Sequence, residues 1–190
     1  FWRGLPREAD FAVIELGMNH PGEIRPISQM TRPHVALITR IAPAHTAFFA
    51  SLDEVAAAKA EIFEGLEAGG TAIVNADDGF GTTLGQAAKR AGADAVLSFG
   101  EAPDADSRLV QADLQADGSQ VRADVLGTSL DYRLGAPGQH WVTNSLGALA
   151  AIAAIGGDIE TAAASLADIR PPRGRGATER LALPQGEIML

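Results

Sequence analysis

TAIVNADDGFGTTLGQAAKRAGADAVLSF, residues 71–99, decides the fold. Thr71–Asn75 reads as a strand. Phe80–Ala91 reads as a helix, and Ala95–Phe99 as another strand. A strand, a helix and a strand in immediate succession predict two parallel strands joined by a helical crossover.

The same alternation extends towards the amino end. Asp10–Leu16 is apolar with an acid near its end and predicts a first buried parallel strand. Gly17–Gly22 reads as a turn, Glu23–Thr31 as a short helix interrupted by Pro26, and Val35–Ile41 as a second strand. After the Ala42–Ala50 loop, Ser51–Leu66 reads as an amphipathic helix. Ser51 with Glu54 three residues later forms a capping box, and Gly69-Gly70 stops the helix. Leu52, Val55, Ile62, Phe63 and Leu66 share its apolar stripe. Lys59 falls near the centre of that stripe, with Asp53, Glu54, Glu61 and Glu64 away from it.

Towards the carboxyl end the pattern changes. Arg108–Leu134 alternates in short runs broken at Asp117-Gly118 and Gly127-Thr128, which predicts an antiparallel meander. A helix follows over Gly138–Ile155, and Asp158 caps another that ends near Ile169. Arg170–Gly176 is a basic loop, and Leu181–Leu190 reads as a strand cut off mid-course. The expected fold class is α/β, a mostly parallel sheet flanked by helices with a small antiparallel extension.

Composition narrows the function. The 190 residues suffice for one domain with a substantial core. A net charge of −9 disfavours a general nucleic-acid binder but not a nucleotide site, where a metal ion and a few local cations suffice. No apolar run approaches membrane-spanning length, so no membrane insertion is expected. The absence of cysteine excludes disulfides and thiolate sites and fits a reducing cytoplasm. The first residue is Phe rather than Met, and the chain reads as part of a longer protein.

Ligands of open parallel sheets sit beyond the carboxyl ends of the strands. Glu15 ends the first expected strand, His45 follows the second, and Lys59 lies on the next helix. A carboxylate and an imidazole can ligate Mg²⁺; a protonated lysine cannot, but a lysine carrying CO₂ as a carbamate can. Against this stand plainer roles: a solvated or capping Glu15, a loop histidine, and a lysine whose stem snorkels to water. Gly138-Gln139-His140 with Asn144 one turn on could present amides to a base or phosphate, or merely start a helix. Arg173 and Arg175 could clamp phosphate or sit in a solvated linker. Asn75-Ala76-Asp77-Asp78 reads as a turn with a helix cap, and His20, His34, Trp2 and Trp141 have no spacing that suggests a site.

Taken together, Glu15-Leu-Gly-Met-Asn-His-Pro-Gly-Glu-Ile24, Ala44-His45, Ala58-Lys59-Ala-Glu-Ile-Phe63, Asn75-Ala-Asp-Asp78 and Gly138-Gln-His140 with Asn144 resemble the Mur ligases. The Met18–Ile24 run resembles the branch that joins D-alanyl-D-alanine to UDP-MurNAc-tripeptide. The other motifs are shared across the superfamily, folylpolyglutamate synthetases included. The resemblance implies a P-loop-NTPase-like central ATP-binding domain over residues 1–180, with 181–190 starting the link to a further domain. It also implies an ATP- and Mg²⁺-dependent amide ligase of cytoplasmic peptidoglycan precursor synthesis, monomeric at full length, working through an acyl phosphate. By the same resemblance Glu15, His45 and a carbamylated Lys59 hold magnesium, with Lys59 and His45 catalytic. Asn144 meets adenine, Arg175 the phosphates, His140 shapes the helix start beside them, and Asn19 and His20 lie near the substrate end.

The sequence departs from the family at several points. The Gly-rich loop with its Lys-Thr pair and the family's C-terminal domain do not occur within residues 1–190, so this stretch alone is expected to be inactive. Trp141 stands where many relatives have Asn, Thr46-Ala47 replaces a common Leu-Glu pair, and Arg40 occupies a position where a small or amide residue is frequent. Two other functions fit the same residues: a different amide ligase of the superfamily, or a non-catalytic nucleotide-binding module.

Overall fold

The structure is a computed structural model that describes residues 8–43, 48–171, 180–183 and 186–189. Its elements run α1 (Ile24–Thr31), β1 (Val35–Ile38), α2 (Leu52–Ala60), β2 (Thr71–Asn75), α3 (Gly81–Arg90), β3 (Ala95–Gly100), β4 (Ser107–Gln115), β5 (Gly118–Val125), β6 (Thr128–Leu134), α4 (Gln139–Ala154), α5 (Ile159–Ser165), β7 (Arg180–Leu183) and β8 (Gly186–Met189). Strands β1 to β6 form one sheet in sequence order. It is parallel from β1 to β4 and antiparallel from β4 to β6.

The two faces of the sheet sort their side chains by strand periodicity. Ala36, Ile38, Ala72 and Val74 face a core shared with Val55, Ala56 and Ala58 of α2, Leu84 and Ala88 of α3, and Ile24 of α1. Ile73 and Phe99 face the opposite core, closed by Val142, Leu146 and Leu149 of α4, Ala163 of α5, and Val121, Val125 and Leu134 of the meander. Every residue of β2 is buried, as the apolar run 71–75 requires. The β5–β6 hairpin turns on Leu126 and Gly127, both at positive φ (47° and 86°), a pair that matches the strand twist. In β4 the register against β5 slips at Val110, a bulge on a strand whose other edge pairs with β3 only at Ser107 and Arg108.

Four expectations are corrected. Asp10–Leu16 forms no strand: Val13 is fully exposed and Phe11 is 67% exposed. An apolar run becomes a strand only with a ladder partner, and among the described residues this one has none. Ser51–Leu66 is not one helix; α2 stops at Ala60 and tightens into a 3-10 segment, Glu61–Gly65. Pro26 does not interrupt α1, because it sits in the first turn, where no intrahelical N–H bond is due. In place of one strand over Leu181–Leu190, Arg180–Leu183 and Gly186–Met189 pair as antiparallel strands β7 and β8 in a separate two-stranded sheet.

The tight segment after α2 explains how α1 is held. Ser28 Oγ donates to the Ile62 carbonyl at 2.5 Å, and the Arg25 guanidinium meets Glu64 at 2.6 and 3.0 Å. A Cβ on Gly65 would collide with the Ser28 backbone, so only glycine lets the two segments lie so close. No helix among the described residues is long and apolar enough to cross a membrane.

Candidate functional site

The parallel strands end in a network built from short polar side chains. At the end of β2, Asn75 Oδ1 accepts from the Asp77 backbone N–H at 2.7 Å, and Asn75 Nδ2 donates to the Thr39 carbonyl just beyond β1 at 2.8 Å. Asp78 accepts from the Ile41 N–H at 2.7 Å with one oxygen and from the Phe80 N–H at 3.0 Å with the other. The Asp77 carboxylate takes the Glu101 N–H at 2.8 Å and the Ala102 N–H at 3.0 Å, beyond β3. The turn expected at 75–78 is therefore present, and it also binds three strand ends together. Glu101 in turn accepts from Gln139 Nε2 at 2.7 Å, linking this network to the first turn of α4.

Lys59 reaches the same edge. Its Nζ donates to the Arg40 carbonyl at 2.7 Å, and its stem is half-buried. Burial pulls the ammonium below the ordinary lysine range, and the nearby Asp78 carboxylate opposes that pull in part. The apolar-stripe position read from the sequence thus corresponds to a partly desolvated lysine with one carbonyl partner.

A second loop is bonded to the segment that follows Lys59. Asn19 and His20 donate their backbone N–H groups to Glu23 Oε2 at 2.7 and 3.2 Å, and His20 Nδ1 lies 3.2 Å from Glu23 Oε1. These backbone bonds hold the Glu23 carboxyl below its usual range, the Asn19 bond foremost. The His20 ring packs on Phe48, with centroids 4.5 Å apart. Glu61, expected to point away from the core, is instead buried. It accepts from the Gly22 N–H at 2.7 Å and the Arg25 N–H at 3.0 Å. Helical periodicity misplaced it because the chain has left α-helical geometry at that residue.

Of the residues anticipated for the metal, Lys59 lies at the strand ends and Glu15 is exposed on the irregular segment before α1; His45 lies outside the described residues. No group of three or more His, Cys, Asp or Glu side chains forms a metal cluster among the described residues. At α4, His140 is exposed and Asn144 half-buried on a helix whose first turn has no side-chain cap. Trp141 Nε1 is buried there without a partner among the described residues. Arg173 and Arg175 lie outside the described residues. The sequence reading did not anticipate the anchoring roles of Asp77, Glu101 and Glu61. For the aspartates the available signal was an Asn-x-Asp-Asp turn directly after a fully buried strand.

The chain matches the Mur ligase middle domain over residues 2–152. It is 36% identical to the UDP-N-acetylmuramoyl-tripeptide–D-alanyl-D-alanine ligase of Escherichia coli over 172 residues, 90% of this chain and 37% of that protein. A crystal structure of MurF from Acinetobacter baumannii superposes with a TM-score of 0.86 at 31% identity, covering 97% of this chain and 39% of that one. MurF from Thermotoga maritima, solved in complex with ADP, has the same fold, with a TM-score of 0.71 at 21% identity over 84% of this chain and 36% of that one. The chain thus spans less than two-fifths of the length of these relatives.

Proposed function

The chain belongs to the Mur ligase family, through that family's middle domain, and we propose that it serves as the nucleotide-binding domain of an ATP-dependent ligase joining D-alanyl-D-alanine to UDP-MurNAc-tripeptide. The observation that carries this reading is the match of 90% of this chain to part of a D-alanyl-D-alanine ligase, with Lys59 at the carboxyl ends of the parallel strands. In this reading residues 1–180 form the domain and 181–190 begin the link to the next. The full-length enzyme is a cytoplasmic monomer.

Asn144 contacts adenine and Arg175 the phosphates, with His140 shaping the start of α4 beside them; the ADP bound by the Thermotoga maritima relative supports a nucleotide in this fold. Partial burial leaves Lys59 with more neutral amine than an exposed lysine has. Its lone pair can therefore bond to the carbon of CO₂ as a proton leaves to solvent, giving a carbamate. Glu15 and this carbamate would offer the oxygens that magnesium prefers, and His45 a neutral ring nitrogen beside them. Once bound, the ion would supply charge neutralisation for phosphoryl transfer. The chain's own residues orient the groups: Asp78 holds the end of β1 through the Ile41 N–H, and the Arg40 carbonyl holds Lys59 Nζ. Asn19 and His20 stand at the substrate end.

The test is ligation by the full-length protein, read as ADP release that depends on both UDP-MurNAc-tripeptide and D-alanyl-D-alanine. Lys59→Ala is expected to lower kcat by at least about 100-fold, the scale on which removing one charge-stabilising group acts. A wild-type protein that ligates glutamate to a folate acceptor, or releases no ADP with either pair, would overturn the proposal.

A further inference from the structure

We propose that Glu61 is a positioning residue, which fixes Asn19 and His20 at a set offset from Lys59; this rests on the function proposed above. Four observations lead to it. Glu61 is only 6% exposed, and both its carboxylate oxygens are engaged, one by the Gly22 N–H at 2.7 Å and the other by the Arg25 N–H at 3.0 Å. Those two N–H groups bracket the end of the turn that carries Asn19 and His20 and the first turn of α1. Glu23, the residue before α1, places no side-chain bond on the helix; its carboxylate turns back to the Asn19 and His20 N–H groups. The loop is therefore folded on itself by Glu23, while Glu61 adds a polar anchor to the packing of Met18 in the core and of the His20 ring on Phe48.

The attachment point matters because of what lies two residues earlier. Lys59 Nζ is tied to the Arg40 carbonyl beyond β1, while Glu61 is tied to Gly22. The stretch Lys59–Glu61, at the junction of α2 with the 3-10 segment, thus holds the strand end with one side chain and the loop with the other. A carboxylate can accept at both oxygens, whereas an amide accepts at one and turns an NH₂ group towards the other N–H. Glu61→Gln accordingly breaks one of the two attachments with little change in size. Arg25 cannot supply the lost acceptor, because a guanidinium only donates; it is held by Glu64 and lies 3.8 Å from Glu61 Oε1.

The experiment compares wild type, Glu61→Gln, Glu61→Asp and Lys59→Ala in the full-length protein, by steady-state kinetics and by hydrogen exchange of residues 17–25. For Glu61→Gln the KM of UDP-MurNAc-tripeptide or of D-alanyl-D-alanine is expected to rise at least about tenfold, with the KM of ATP within about twofold, the scale of losing one charged hydrogen bond. Exchange in 17–25 is expected to quicken in both Glu61 variants, less in Glu61→Asp, which keeps the charge on a shorter stem. Lys59→Ala should leave that exchange unchanged. KM values unchanged from wild type for all three substrates, a uniform rise in all of them, or unchanged exchange would overturn the proposal. A wild-type protein without ligase activity would overturn the proposed function instead; exchange quickened only in 17–25 would then still uphold Glu61 as the anchor, and unchanged exchange would remove it.

Discussion

Lys59 shows how far a single residue can be read from sequence. Its place on an apolar stripe signalled partial burial, and the structure gives a half-buried ammonium held by the Arg40 carbonyl. The carbonyl could not be foreseen, because it belongs to a loop whose path depends on Asp78 and the Ile41 N–H. Tyr132 carried no signal at all. It is 4% exposed, and its hydroxyl lies 2.6 Å from Ser145 Oγ, which itself donates to the Val142 carbonyl at 2.7 Å. Since the Ser145 proton is committed to Val142, Tyr132 is the donor. Burial raises the phenol above its ordinary value of 10.0. The native state therefore keeps a proton that the unfolded chain loses, so this contribution is complete below pH 10.0 and lost as pH rises above it. Tyr132→Phe is expected to cost about 1 kcal/mol at neutral pH and to lessen the alkaline loss of stability. Urea titrations at neutral pH and above pH 10.0 check both parts.

Among the elements, those with a local cause were the most legible. Ser51 caps α2 by accepting from the Glu54 N–H at 3.2 Å, and Asp158 caps α5 by accepting from the Glu160 and Thr161 N–H groups. The Glu54 carboxylate completes the box one residue early, on the Ala50 N–H at 2.8 Å. The change from α to 3-10 after Ala60 was not legible, because its cause is tertiary: α1 packs against Glu61–Gly65 with Ser28 against Gly65. Gly65→Ala places a methyl group against the Ser28 backbone, where no side-chain rotation relieves the clash. It is expected to destabilise the protein by about 1–3 kcal/mol and to loosen α1 first. Thermal unfolding together with amide exchange over 24–31 measures this, and unchanged exchange there would contradict the packing described.

On the scale of the whole molecule, a mostly parallel sheet with helices on its faces and an antiparallel extension followed from the strand and helix alternation, but the order of the strands and the first edge did not. Asp10–Leu16 has strand composition, yet composition cannot supply the neighbour that a parallel strand requires. The hydrogen-exchange profile of the 190-residue chain should therefore be steep. Ile73 and Val74, fully paired and covered on both faces, are expected to exchange slowest, and residues 8–17 at nearly the rate of an open chain. Slow exchange across 10–16 would mean that the segment is paired after all.

The slip at Val110 bears on how the protein stays dispersed at high concentration. Most of β4 presents an outer row of peptide groups with no neighbouring strand among the described residues, and Leu114 stands 49% exposed beside it. A straight, regular margin of that kind invites another chain to zip onto it. The extra residue puts a kink and added twist into that margin, so an incoming strand cannot keep in step along it. Deletion of Val110 is therefore expected to trade a small irregularity for a self-adhesive border, read as concentration-dependent association of the variant.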